Sequence, residues 1–128
     1  MNGRTKASLI TGARLNALAV SPDRLTLAIA GDDQDILLLD AETLEEKQRF
    51  RSHDAAISAL RFDPSRPRLA SASVDGIVKI WDLPTLHPIH TIYGLAGRPV
   101  WLSFSPKGNL LAVEGMEYAF RIYEMPPF

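Results

Sequence analysis

Cysteine is missing from all 128 residues, and that one gap removes disulfides, thiolate metal sites and cysteine nucleophiles together. A surplus of either charge is missing too. Fourteen Lys and Arg against fifteen Asp and Glu leave a net charge of −1, so no overall field draws the chain to nucleic acid or to an anionic membrane. No stretch approaches the roughly 18 apolar residues of a membrane span. The apolar segment near the N-terminus is broken by Thr11, Gly12, Arg14 and Asn16, unlike the core of a signal peptide. A soluble intracellular chain, cytoplasmic or nuclear, is expected. The length suits one domain over residues 1–128. Apolar residues at 46% and charged residues at 23% suit a packed core rather than disorder.

What the chain does contain is a repeat. LAVSPD at 18–23 returns as LRFDPS at 60–65 and LSFSPKG at 102–108, with Pro22, Pro64 and Pro106 each 42 positions apart. ILLLDAETL at 36–44 returns as VKIWDLPTL at 78–86 and FRIYEMP at 120–126, so Leu39, Trp81 and Tyr123 keep the same step. Two markers with one period define three units, at about 12–51, 52–94 and 95–125.

Turn chemistry divides each unit into short strands. In the second, the apolar run 57–62 stops at Asp63-Pro64-Ser65, where proline cannot donate to a ladder. Strands at 68–73 and 77–82 flank Val74-Asp75-Gly76, a hairpin signal, and 88–93 supplies a fourth. The other units repeat the order, with turns at Asp32-Asp33 and at Met116-Glu117. No segment has a capped helical period. The expectation is an all-β chain of three four-stranded antiparallel blades, a partial β-propeller.

The residues resemble the WD40-repeat family. The second unit carries Ser52-His53 for the usual Gly-His, then FDPS, LASAS and VDGIVKIWD. The resemblance covers roughly residues 5 to 125. In the outer units Leu39-Asp40 and Tyr123-Glu124 stand for Trp-Asp, without a matching histidine. The second and third units are also similar to blades of a WD-repeat replication scaffold that carries an HMG box.

His53, Ser71 and Asp75 are the residue types of a nucleophilic triad, so a serine hydrolase is one reading. It needs an exposed serine elbow and an oxyanion hole. Here the serine lies in SAS on an apolar strand, with no G-x-S-x-G. The family resemblance implies instead a structural tetrad, in which Asp75 orients His53, His53 bonds Ser71, and Ser71 meets the indole N–H of Trp81. No metal site is expected: His87 and His90, three apart on a strand, should point to opposite faces. Asp32, Asp33 and Asp35 lack calcium-loop spacing. Neither a cofactor nor direct contact with nucleic acid or membrane is expected.

WD40 resemblance implies a non-catalytic scaffold that meets other proteins through its top-face loops, where binding residues concentrate. Those loops hold Arg14, Asp54 and Arg98 before the first strands, and Asp32, Val74, Met116 and Tyr118 in the hairpins. Trp101, whose equivalents are Ala17 and Ala59, either fills space in a core or anchors a partner. Three blades leave two apolar faces uncovered. Residues 4–8, RTKAS, sit where a closing outer strand belongs. Two copies exchanging it would form a six-bladed dimer; the alternative is an excerpt of a larger WD40 scaffold acting in replication or chromatin.

Overall fold

Strand ends fall where the turn residues lie. The computed structural model describes residues 12, 14–93, 101–114 and 120–125. The first sheet contains β1 (Leu15–Val20), β2 (Thr26–Gly31), β3 (Asp35–Asp40) and β4 (Glu46–Arg51). The second contains β5 (Ile57–Phe62), β6 (Arg68–Ser73), β7 (Val78–Asp82) and β8 (His87–Ile92). In the third, β9 (Trp101–Phe104), β10 (Leu110–Glu114) and β11 (Phe120–Glu124) follow. Each sheet is an antiparallel meander in sequence order, so the chain is all-β, as its turn pattern predicts. The third sheet has three strands among the described residues; the expected closing strand at 4–8 lies outside them, as does the turn at Met116-Glu117.

The 42-residue step holds at the level of single irregularities. Register shifts occur between Leu15 and Ala17 and again between Ile57 and Ala59. The same pairing recurs between Leu38 and Leu39 and between Ile80 and Trp81. Leu44 and Leu86, also 42 apart, both adopt positive φ (63° and 59°), a conformation that costs a branched side chain energy and persists only where its surroundings enforce it. Backbone bonds from Ser21, Asp63 and Ser105 to the carbonyls of Thr26, Arg68 and Leu110 close three equivalent turns.

Small side chains in the second strands let the blades stack. Ala28, Ala30, Ala70 and Ala72 are fully or nearly fully buried. One core lies between the first and second blades, around Ile36, Leu38, Ile57, Leu60, Leu69 and Trp81. Another joins the second and third, around Val78, Ile80, Ile92, Leu102, Leu111 and Val113. Truncating a fully buried Leu69 or Ile80 to alanine is worth about 2–5 kcal/mol. At the outer edge, β4 carries exposed Glu46, Lys47, Gln48 and Arg49, charges that discourage edge-to-edge pairing. Gly31 is held by contact: a Cβ there would strike the Arg14 carbonyl.

Candidate functional site

Three residues of the apparent triad region meet inside the second blade. His53 Nε2 lies 2.7 Å from Ser71 Oγ, and the Trp81 indole Nε1–H donates to the same oxygen at 2.8 Å. Ser71 is wholly buried and His53 is 2% exposed. A substrate carbonyl has no approach to an oxygen so enclosed, and a hydrolase needs its nucleophile at the surface. The Trp81 ring packs edge-on to Phe50 of the first blade, with centroids 5.0 Å apart. Lys79 donates to the Ser52 carbonyl at 2.7 Å and stands over the Trp81 ring.

The expected link from Asp75 to His53 is not formed. The Asp75 carboxylate accepts instead from Ser73 Oγ within its own turn, while His53 Nδ1 is buried with no hydrogen-bond partner among the described residues. A two-residue reach to Ser73 satisfies the carboxylate locally, as short polar side chains do in turns. Burial pushes the His53 imidazole down to about 4 from 6.5; Lys79 adds to the depression, and the charges of Asp75 and Asp54 oppose it. His53 is therefore neutral at physiological pH.

Four expected partner-binding residues lie near the hairpin ends and first-strand entries of blades one and two. Arg14 is exposed, and its carbonyl accepts from Asp32 N at 3.1 Å. Asp32 accepts from Asn16 Nδ2 at 2.8 Å, and the same amide reaches the Ile57 carbonyl of the next blade at 3.2 Å. Asp54 is almost fully exposed, 4.0 Å from Arg51. Val74 is also exposed, its N–H tied to the Ala56 carbonyl. Trp101 is half-exposed at the start of β9, beneath the guanidinium of Arg61. Arg98, Met116 and Tyr118 lie outside the described residues.

Asn16 and Arg61 bridge blades and escaped the sequence reading. Arg61 left a signal, because its equivalents are Ala19 and Ser103 and a charge there breaks the pattern. The histidine expectation also changes. The irregular register of β8 sets His87 opposite Asp82 and His90 opposite Ile80, on one side of the sheet rather than two. Among the described residues no group of three potential ligands converges on a metal site. A cleft of about 560 Å³ lies between the turns after β1 and β5. Its Lys47 is already engaged with Leu25 and Thr26.

Comparison with known proteins agrees with this architecture. The WD domain, G-beta repeat family matches residues 44–82. The chain is similar to WD repeat-containing protein 36 of Homo sapiens, 32% identical over 103 residues, covering 80% of this chain and 11% of that protein. It is 33% identical over 96 residues to the THO complex subunit 6 homolog of Danio rerio, covering 70% of this chain and 30% of that protein. With WD repeat and HMG-box DNA-binding protein 1 of Mus musculus it shares 33% identity over 107 residues, 76% of this chain and 9% of that protein. The chain thus spans less than a third of each of these relatives. With its 42-residue sheets, its buried His53–Ser71–Trp81 contacts and these relatives together, the chain belongs to the WD40-repeat family.

Proposed function

We propose that this chain is a non-catalytic scaffold on which other proteins meet, through the loops that carry Arg14, Asp32, Asp54 and Val74. The observation that carries this reading is the contrast between the buried β6 and β7 of the second blade and the exposed charges of Arg14, Asp32 and Asp54 at the loops of the first two blades. Chemistry is enclosed and recognition groups are offered. On this reading the His53, Ser71 and Trp81 contacts stabilise the blade. Capture of partners by the expressed chain tests it: Arg14→Glu with Asp54→Lys should abolish capture while unfolding stays within about ±0.5 kcal/mol, as for surface substitutions elsewhere. Unchanged capture would contradict it.

The similarity to WD repeat and HMG-box DNA-binding protein 1, whose name places that protein on DNA, supports a finer reading, a scaffold acting at chromatin. The similarity to U3 small nucleolar RNA-associated protein 21 of Saccharomyces cerevisiae, 36% identical over 85 residues, supports an intracellular, nuclear setting. Imaging of the tagged chain tests the location, and exclusion from the nucleus would contradict it.

A second reading concerns assembly, because Phe120 and Ile122 on β11 are 69% and 59% exposed. Apolar surface of that kind marks a contact. Further blades cover it on this reading, either from a second copy, giving a six-bladed dimer with two-fold symmetry, or from a longer polypeptide. Light scattering separates these: a dimer weakened by deleting residues 1–9 supports self-closure, aggregation supports further blades in one chain, and a cooperatively folding monomer contradicts both.

A further inference from the structure

The inner strands β1, β5 and β9 stand side by side, and the seam between the last two holds a fixed cation. Arg61 on β5 donates its Nε–H to the Leu102 carbonyl of β9 at 3.0 Å. Its guanidinium carbon lies 4.7 Å from the centre of the Trp101 ring. One hydrogen bond and one stacked face set the plane of the group. A guanidinium has five N–H donors, so four remain on the terminal nitrogens, and these make no hydrogen bond among the described residues. Beside them opens a cleft of about 190 Å³ lined by Asn16, Leu18, Ser58, Leu60, Arg61 and Trp101. Leu18 and Trp101 are more than half exposed. The nearby carboxylate of Asp32 is held by Asn16. Two exposed apolar side chains, Leu18 and Trp101, and a preset fork with no carboxylate on it among the described residues therefore border the same small space.

We propose that this cleft binds an acidic side chain carried on an extended segment of a partner protein. The carboxylate or phosphate accepts from the terminal nitrogens of Arg61, whose fork matches either anion. The apolar part of the segment lies against Trp101 and Leu18. Prior fixing of the guanidinium removes ordering cost that a free arginine would meet on binding. The inference rests on the scaffold reading above and names the chemistry of the partner.

Titration of the full chain with three probes at low salt tests it, with tryptophan emission as the readout: hexaglutamate, a glycine hexapeptide bearing one phosphoserine, and hexalysine. Either acidic probe should give a saturable change, and the tighter of the two identifies the anion; hexalysine should give none. Arg61→Gln should weaken acidic binding about tenfold or more, the scale of a hydrogen bond to a charged group. Arg61→Lys, which keeps the charge without the fork, should weaken it by a smaller factor and guards against a folding defect in the first variant. Wild-type affinity in both variants, or no saturable change with either acidic probe, would overturn the proposal. Partner capture distinguishes the two levels: capture lost in Arg14→Glu with Asp54→Lys but intact in Arg61→Gln would sink this cleft alone, whereas capture untouched by all of them would sink the scaffold reading itself.

Discussion

Blades one and two solve one packing problem in two ways. On one face of the second sheet stand Ser71 and Trp81, the serine hydroxyl bonded both to the indole and to His53. Forty-two positions earlier the first sheet places Ile29 and Leu39, each 3% exposed, with no polar group to satisfy. The backbones match down to their bulges. A blade of this shape therefore does not require the polar network. Where the network exists, however, it is committed, because each buried group depends on the others and an unpaired one costs about 1–3 kcal/mol. Blade two gains a defined arrangement and inherits a sensitivity that blade one lacks.

The widest gap between the blades should come from Trp81→Ala. It removes the indole that packs on Phe50 and bonds Ser71, and should cost about 3–5 kcal/mol. Leu39→Ala should cost about 2–5 kcal/mol, with no polar partner stranded. Urea unfolding of both variants checks this, and an equal or smaller loss at Trp81 would break the contrast.

Between pH 6.5 and 4, acid should act on blade two through His53. The unfolded His53 takes up a proton near pH 6.5, whereas the folded one does so only near 4. Between those values the unfolded state binds more protons, so stability falls as pH falls. The total is about 3 kcal/mol, fully present above pH 6.5 and lost by about pH 4. Comparing unfolding of the wild type and His53→Leu across this window isolates the effect, and parallel curves would refute it.

A smaller effect is expected from His53→Ala at neutral pH, about 1–3 kcal/mol, because Ser71 retains the Trp81 donor. The smallest should come from Asp75→Ala. Its carboxylate serves Ser73 in a turn, so the cost should stay near 0.5–1.5 kcal/mol. A loss at Asp75 as large as that at His53 would restore the aspartate–histidine link that the geometry lacks.

Much of this fold was legible because turns are local. Asp63-Pro64, Val74-Asp75-Gly76 and Leu83-Pro84 stop strands by their own chemistry, and β5 and β6 begin and end where those residues require. Contacts across blades were not legible in the same way. Asn16 reaches Ile57 and Arg61 reaches Leu102 because stacked sheets bring together residues 41 positions apart, which no local pattern encodes. His87 and His90 share one side of the sheet for a related reason: a bulge shifts the two-residue alternation by one. Asp75 shows the limit of a family resemblance, since a matching residue can take a nearer partner.

On the proposed reading, His53 belongs to a buried structural network and not to a working catalytic pair. Its titration by NMR, with the signal assigned from the spectrum of His53→Gln, tests that claim most directly. A midpoint of about 4 is expected; a midpoint at or above 6.5 would show a solvated, protonatable imidazole and contradict that reading.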